Sequence, residues 1–330
     1  MSDMKTLIAQ FPENITEALE IASKAKISAP KHEIKNVLIC GMGGSGIGGR
    51  LVAKWLEDEL SVPVAFALDY GIPGFVSKNT LVIGSSYSGN TEETLSSVHQ
   101  ALEKGAQLIG ITSGGKMLDL CNENNYDVVV VPGGNPPRSA LAYSLVQLLH
   151  IFAELGMSSK MRLEEMAKAR DLIVSEQDSI REIGLEMASF VHGNVPIFYS
   201  TTDYEPVLVR ARQQFNENGK NLGWSHAIPE MNHNELVGWG GGDDRFALIV
   251  LETDDMHPRN AKRLEITKAT IAKKTKHLMT VKSKGKSRIE RSIYLINIVD
   301  WASLYITDLN GADPIDIEII DYLKDELSNF

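Results

Sequence analysis

The stretch 41-GMGGSGIGG-49 lies between an apolar run, 36-NVLIC-40, and an amphipathic stretch that predicts a helix, 50-RLVAKWLEDEL-60. A glycine-rich turn between a buried strand and a helix is typical of phosphate binding, because backbone amides at the helix N-terminus point at the anion. Residues 41–46 also satisfy the pattern G-x-G-x-x-G, so a dinucleotide is the first ligand class to consider. The turn therefore predicts an anion-binding α/β unit and leaves the identity of the phosphate open.

Short apolar runs rich in β-branched residues continue along the chain on both sides of this turn. Because they lack period-two alternation, they are typical of strands buried on both faces of a parallel sheet. The strands predicted in the first half are 36–40, 63–68, 80–86, 107–113 and 127–132. After a long helical region from about Ser139 to Val191, the second half has strands at 194–201, 246–253 and 277–283 and helices at 205–221, 258–274, 287–311 and 314–327. The pattern predicts an α/β protein of two tandem, doubly wound parallel-sheet units of flavodoxin-like type.

Composition restricts the class of protein and its partners. The chain has 330 residues, of which 43% are hydrophobic and 23% charged, and this is typical of a globular protein with room for two cores. The formal net charge of -10 argues against a nucleic-acid partner. We expect no membrane partner and a cytoplasmic location, because no apolar run approaches membrane-spanning length and the N-terminal stretch lacks a signal-peptide core. Cys40 and Cys121 lie in or beside apolar segments, which predicts buried free thiols.

The third predicted strand ends in 85-SSYSGNTEET-94, and this turn bears on the kind of phosphate. The hydroxyls of Ser86, Ser88 and Thr91 can donate to a terminal phosphate without adding charge. A dinucleotide-binding fold needs an acidic residue after the second strand, and Asp69 fits that position, so an NAD-dependent dehydrogenase remains open. Such a dehydrogenase has no need of the hydroxyl cluster. Alternatively, Thr91-x-x-Thr94 serves only to cap the following helix.

The combination GGSG and SYSGNTEET resembles the sugar isomerase (SIS) domain, in which loops rich in serine and threonine hold phosphosugars. Three later segments, 136-PPRSAL-141, 213-QQFNENGKN-221 and 230-EMNHNELVGW-239, are similar to one branch, the bifunctional phosphoglucose/phosphomannose isomerases. The five motifs occur in order through nearly the whole chain. The resemblance implies two SIS domains, over 1–155 and 156–330. It also implies a substrate-binding set: Gly44, Ser45, Ser86, Ser88, Thr91 and Arg138.

The activity that the resemblance implies is aldose–ketose isomerisation. Glucose 6-phosphate and mannose 6-phosphate would each interconvert with fructose 6-phosphate through a cis-enediol(ate). The reaction needs a base that moves a proton between C2 and C1, a group that opens the sugar ring, and stabilisation of the enediolate oxygen. Glu217 matches the family's base, and a carboxylate suits this role because its oxygens can serve both carbons. The alternative is an ordinary exposed glutamate on a helix that Gly219 could terminate.

Arg138 and His233 are the next candidates for catalytic roles. Arg138 follows a stiff Pro136-Pro137 approach, and its guanidinium could stabilise the enediolate; otherwise it forms a structural salt bridge. Imidazole titrates near neutral pH, so His233 suits a ring-opening acid, although it could instead help to cap a helix beginning at Asn234. In the family this histidine comes from the neighbouring subunit. The resemblance therefore implies a homodimer with a composite active site.

Lys324 matches a lysine that the family places in the pocket near its C-terminus, where it shares the ring-opening work. The flanking Asp325 and Glu326 fit a solvated helix face equally well. We expect no cofactor and no metal: His226 and His233 have neither helical-pair nor zinc-finger spacing, and the enediolate route needs no metal when Arg138 is present.

Other functions use the same domain and remain alternatives. SIS domains act as phosphosugar sensors in transcription regulators, which usually carry a helix-turn-helix domain. They also occur in isomerases of pentose or seven-carbon sugar phosphates and in the synthase that makes glucosamine 6-phosphate. The synthase would require a glutaminase domain, which the sequence does not predict. A sensor would have no need of Glu217 as a base.

Overall fold

A computed structural model describes residues 3–329, and contacts within the chain divide it into two units. The first comprises Ala9–Val174 and Lys286–Glu290, and the second comprises Asp3–Ile8, Ser175–Gly285 and the chain from Arg291 onward. The division falls at Val174, whereas the resemblance implies a boundary after residue 155. The segment between these points stays with the first unit because Arg162 donates through Nε to Glu59 at 2.6 Å. Among residues 3–329, no helix combines the length and apolar character needed to span a bilayer.

The first unit contains a five-stranded parallel sheet. Two N-terminal helices, α1 and α2, precede its first strand. The helices and strands of this part of the chain are α1 Met4–Ala9, α2 Phe11–Lys24, β1 Asn36–Cys40, α3 Gly43–Trp55, β2 Val64–Ala67, β3 Thr80–Ser85, α4 Glu92–Glu103, β4 Gln107–Thr112, α5 Gly115–Asn124, β5 Asp127–Val130, α6 Leu141–Glu154 and α7 Met161–Ser175. The strand order is β2-β1-β3-β4-β5, which is the flavodoxin-like order. The predicted fold of this unit is confirmed.

The central strands β1 and β3 are apolar because both of their faces are covered. Val37 pairs with Leu81 and Cys40 with Gly84 in parallel register. Cys40 and Cys121 are free and fully buried in the core, as predicted. Burial raises the pKa of the Cys40 thiol to about 12 and that of Cys121 to about 11, because the thiolate loses its hydration.

The second unit repeats the architecture with four parallel strands. Its sheet has the order β7-β6-β8-β9. The elements are α8 Gln177–Val191, β6 Val195–Thr201, α9 Glu205–Glu217, β7 Trp224–Ile228, α10 Glu235–Gly238, β8 Phe246–Glu252, α11 Pro258–Ile271, β9 Leu278–Lys282, α12 Arg288–Asn310 and α13 Glu318–Ser328. Short 3-10 helices at Thr202–Tyr204, Glu230–His233 and Trp239–Gly241 connect them. The prediction of two parallel-sheet α/β units is thereby confirmed.

Several boundaries differ from the predicted ones. The sequence pattern misses β7, because this edge strand reads WSHAI and carries polar side chains that are half-buried instead of a continuous apolar run. The helical region expected from Ser139 to Val191 is three helices, α6, α7 and α8. α13 begins at Glu318 and not at 314, because the carboxylates of Asp313 and Asp316 accept from the amides of Ile315 and Glu318 in two successive turns.

Candidate active site

The two predicted phosphate-binding motifs lie next to each other at the carboxyl edge of the first sheet. The stretch 41–49 follows β1, and the stretch 85–94 follows β3, which is the neighbour of β1. The strand order reverses between these two strands, since β2 lies on one side of β1 and β3 on the other. Open α/β sheets bind ligands in the crevice at such a switch point. The N-termini of α3 and α4 also lie at this edge.

The glycines of the first motif allow backbone segments to approach closely. A Cβ atom at Gly46 would lie 2.5 Å from the carbonyl oxygen of Gly41, and one at Gly41 would lie 2.8 Å from that of Ser85. α3 consequently begins at Gly43, inside the glycine-rich stretch, and not at Arg50 as predicted. The tight loop leaves the first turn of α3 at the end of β1, where its amides can meet an anion.

Hydroxyl groups connect the two motifs. The amide of Tyr87 donates to Ser45 Oγ at 3.2 Å, so Ser45 faces the 85–94 turn. Ser86 is buried and donates through Oγ to Thr91 Oγ1 at 3.1 Å, while Ser88 is exposed and accepts from the amide of Asn90 at 3.2 Å. Thr91 occupies the N-cap of α4, yet in the described chain its hydroxyl pairs with Ser86 and does not cap the helix. The helix-capping alternative therefore does not account for this hydroxyl.

Arg138 belongs to a short 3-10 helix, Pro137–Ser139, that lies against the glycine-rich loop. A Cβ atom at Gly44 would be 3.1 Å from the carbonyl oxygen of Pro137 and 3.6 Å from the amide nitrogen of Arg138. Arg138 is only 3% exposed. A small cavity of about 10 Å³ lies beside this contact, with Gly44, Ser45 and Tyr87 in its wall. The structure thus brings Gly44, Ser45 and the Arg138 turn together.

Asp69, the residue that a dinucleotide site would need, makes hydrogen bonds within and beside its own turn. It follows β2, and its Oδ1 accepts from the amide of Tyr70 at 2.7 Å. Its carbonyl oxygen accepts from Ser97 Oγ at 2.9 Å, which ties the same turn to α4. The carboxylate therefore stabilises a turn in this structure.

Glu217 is the last residue of α9, and it is half-buried. Buried polar contacts hold this end of α9 against α12. Arg210 donates through Nη2 to both carboxylate oxygens of Asp300 in α12 at 3.1 Å, and Gln214 donates to Oδ1 of the same residue at 2.8 Å. One turn further, Asn218 Nδ2 donates to Ser303 Oγ at 2.9 Å. Burial raises the pKa of Asp300, and its pairing with Arg210 and Gln214 acts in the opposite direction.

The end of α9 differs from the prediction that Gly219 terminates the helix. The left-handed residue is Lys220, with φ 53°, and Gly219 has no positive φ. Gly219 is needed for a close approach, because a Cβ atom there would lie 2.7 Å from Cγ2 of Ile306. Lys220 Nζ donates to the carbonyl oxygens of Glu217 and Asp316 at 2.6 and 2.7 Å. The lysine thereby satisfies a carbonyl at the helix end.

His233 follows the carboxyl end of strand β7 of the second sheet, whereas Glu217 lies before its amino end. α9 starts after the carboxyl end of β6 and runs back along the sheet, so Glu217 at its end precedes the amino end of β7. Just before β7, Gly223 packs on Pro196 near the start of β6. β7 then spans roughly 16 Å at about 3.3 Å per residue before the turn with His233 begins. His233 is exposed, and Asn234 is the residue that caps α10, through Oδ1 to the amide of Glu235.

Lys324 lies on the exposed helix α13. Its side chain is 66% exposed, and Nζ lies 3.3 Å from Oδ1 of Asp321 one turn earlier. The apolar residues of this helix are also exposed, most strongly Ile319 at 86% and Tyr322 at 66%. Within the described chain, Lys324 therefore belongs to a solvent-facing helix whose apolar side chains also face outward.

Sequence reasoning missed Glu235. His226, considered only as a metal ligand, has Nδ1 2.6 Å from Glu235 Oε2, and Trp224 Nε1 donates to Oε1 at 2.7 Å. Within residues 3–329, no three His, Cys, Asp or Glu side chains are grouped to hold a metal ion. The segment 230-EMNHNELVGW-239 singled out this region, but the partners of Glu235 are remote in sequence, so no local pattern could identify them.

Comparisons with known proteins match SIS domains to both halves of the chain. Residues 32–145 match the SIS domain, and residues 181–327 match the bacterial phospho-glucose isomerase C-terminal SIS domain. A bifunctional phosphoglucose/phosphomannose isomerase from Caldicellulosiruptor bescii is 35% identical over 97% of this chain and 98% of its own length. One from Aquifex aeolicus is 34% identical over 89% and 90%. The C-terminal domain of glucosamine-fructose-6-phosphate aminotransferase from Francisella tularensis has a similar fold, with a TM-score of 0.77, 16% identity, and coverage of 94% of this chain and 96% of that domain.

Proposed function

The chain belongs to the bifunctional phosphoglucose/phosphomannose isomerase family, and from this we propose that it interconverts glucose 6-phosphate and mannose 6-phosphate with fructose 6-phosphate. It is a sugar-phosphate isomerase, and we assign its work to the cytoplasm. The observation that carries the proposal is the convergence of the glycine-rich loop and the 85–94 hydroxyls at the switch point of the first sheet. A terminal phosphate needs several neutral donors, and this crevice offers amides and hydroxyls together.

The phosphate is bound by the first unit in this proposal. Amides at the N-terminus of α3, including that of Gly44, contribute donors, and the helix dipole favours the anion. Ser45, Ser88 and Thr91 add hydroxyl donors, while the buried Ser86 orients Thr91 through their 3.1 Å hydrogen bond. Neutral donors suit a protein with a formal net charge of -10, because they bind the phosphate without a basic surface.

Glu217 acts as the base. Its carboxylate takes the proton from C2, the electron pair of the broken C–H bond forms the C1–C2 double bond, and the C1 carbonyl oxygen becomes the enediolate oxygen. The proton of the C2 hydroxyl moves to this C1 oxygen, and the C2 oxygen then forms the carbonyl while the C1–C2 electron pair takes the proton back from Glu217 at C1, which completes fructose 6-phosphate. The guanidinium of Arg138 stabilises the enediolate charge. Glucose and mannose 6-phosphates differ only at C2, so both give the same enediol.

A homodimer completes the site in this proposal. His233 donates the proton that opens the sugar ring, and it acts in the active site of the partner copy; Lys324 shares the ring-opening work. Two observations support this: His233 is exposed at the edge of the sheet opposite Glu217, and α13 exposes apolar side chains. An exposed apolar helix face is typical of a protein–protein interface.

The experiment is a coupled assay for fructose 6-phosphate, run separately on glucose 6-phosphate and mannose 6-phosphate. Wild type should turn over both, and Glu217→Gln should lose both by at least about 100-fold, because an amide cannot accept the proton. Glu186→Gln, at an exposed glutamate of α8, is the matched control and should keep full activity. Turnover of glucose 6-phosphate alone would remove the dual specificity. Absence of both activities, or an unaffected Glu217→Gln variant, would overturn the proposal.

A further inference from the structure

We propose that Glu235 is a positioning residue for His233, and this inference rests on the proposed function of His233 as the ring-opening acid. Glu235 follows His233 by two positions and is the first residue of α10. The side chain of His233 is exposed, and within residues 3–329 it makes no hydrogen bond or ion pair that would hold it in place. The placement of its imidazole must therefore come from the backbone of its turn.

The carboxylate of Glu235 fastens this turn to two strands of the second sheet. Trp224 and His226 of β7 approach its two oxygens at 2.7 and 2.6 Å. The hydroxyl of Tyr199, a fully buried residue of β6, also donates to Oε1, and Trp239 Nε1 donates to that hydroxyl at 2.9 Å. Both oxygens of Glu235 are thus occupied by protein groups. This residue is built to hold the turn and not to exchange protons with a substrate.

The turn is also fixed immediately before His233. Asn232 Nδ2 donates to Thr267 Oγ1 of α11 at 2.8 Å, and Asn234 Nδ2 donates to Glu230 Oε1 at 3.0 Å. Contacts therefore flank His233 on both sides, while its own side chain projects outward. The backbone on both sides of His233 is therefore held in place while its imidazole faces outward. A catalytic group that acts on a sugar outside its own turn needs such support to keep its geometry.

Ring opening is sensitive to such placement. The acid must deliver a proton to the ring oxygen while the bond from C1 to that oxygen breaks and the C1 hydroxyl gives its proton to water to form the aldehyde. A shift of about 1 Å in a catalytic group can cost about 100-fold in rate. Loss of the Glu235 contacts should therefore slow ring opening while leaving the C2 proton transfer by Glu217 unchanged.

The test compares Glu235→Ala, His233→Ala and the double variant, using glucose 6-phosphate with hydrogen or deuterium at C2. We expect Glu235→Ala, which removes both acceptor oxygens, to lower kcat/KM by about 10- to 100-fold, with the deuterium isotope effect falling towards one because ring opening becomes limiting. His233→Ala should behave in the same way, and the double variant should be no slower than His233→Ala. Glu176→Ala is the matched control: it removes a 2.6 Å pair with Lys284, which follows β9 at the sheet edge opposite β7, and should leave the kinetics unchanged.

Three outcomes would overturn the inference. They are full activity of Glu235→Ala, an unchanged isotope effect despite reduced activity, and a loss of equal size whether Glu235→Ala is introduced into the wild type or into the His233→Ala variant. Full activity of His233→Ala is a separate result, because it refutes the role of His233 itself and thereby removes the basis of the inference. If Glu235→Ala does not fold, Trp224→Phe removes one donor while keeping an aromatic ring beside Phe246, and it should show the same fall in isotope effect to a smaller extent.

Discussion

Glu217 and His233 lie at opposite ends of strand β7 in the second sheet, Glu217 before its amino end and His233 beyond its carboxyl end. The five residues of β7 separate them by roughly 16 Å along the strand. This separation favours the proposal that, if both residues serve one reaction, each active site takes them from different copies.

Complementation tests this relationship directly. Glu217→Gln and His233→Ala should each retain at most about a tenth of wild-type activity alone. Random reassembly of equal amounts should restore about a quarter of wild-type activity, since half of the dimers are mixed and each has one intact site of two. The measurement is the fructose 6-phosphate assay after joint refolding or co-expression. Mixing the double variant with wild type is the control. No recovery in the mixed sample would mean that each site is self-contained.

Gly46 offers a test of the close approach in the phosphate-binding loop. Gly46→Ala places a methyl group 2.5 Å from the carbonyl oxygen of Gly41, so the backbone must shift. We expect a loss of about 1–3 kcal/mol in the free energy of unfolding, together with a higher KM for both substrates. Gly71→Ala is the control, because a Cβ atom there has no neighbour within 4 Å. Equal stability and equal KM in the two variants would contradict the role given to Gly46.

Asp300 offers a test of the buried contacts that hold α9. Asp300→Ala leaves the guanidinium of Arg210, only 2% exposed, without its carboxylate. We expect a loss of about 3–5 kcal/mol in the free energy of unfolding, measured by urea denaturation. Asp300→Asn keeps an acceptor for Gln214 and should lose less. If both variants match wild type, these contacts contribute no net stability.

The two cysteines provide a prediction that depends on pKa. Burial raises the pKa of Cys40 to about 12 and that of Cys121 to about 11, so both thiols are neutral at pH 8 as well as inaccessible. A thiol reagent should therefore react with neither cysteine in the folded protein and with both after denaturation. Absorbance of the released chromophore measures this. Rapid reaction of one equivalent before unfolding would show that one of the thiols is accessible.

The sequence predicts the central strands well but misses β7 at one edge of the second sheet, for a physical reason. β1 and β3 are apolar between their polar end residues because both faces are covered, and the structure gives them within one residue of the predicted ranges. β7 is half-buried at a sheet edge, so Trp224, Ser225 and His226 do not form a recognisable apolar run. The edge strands β2, β5 and β9 are also partly buried, but they keep a run of apolar residues and are predicted, so β7 is missed because it lacks such a run.

The same distinction holds for the candidate site. The meeting of 41–49 with 85–94 follows from the chain order, because the carboxyl ends of neighbouring parallel strands lie together. The network of Glu235 does not follow from any local pattern, because Tyr199 is 36 positions away. The local motif singles out His233, whereas the three-dimensional fold is needed to identify the residues that hold its turn.

The exposed face of α13 tests whether the active protein is a homodimer. Ile319 and Leu323 are one turn apart, and they are 86% and 57% exposed. If this face packs on a second copy, Ile319→Glu with Leu323→Glu buries two charges and should convert the dimer to a monomer with loss of activity. Sedimentation velocity and the coupled assay measure both effects, and Glu326→Gln on the same helix is the control. A dimer that persists with full activity in the double variant would show that another surface forms the interface.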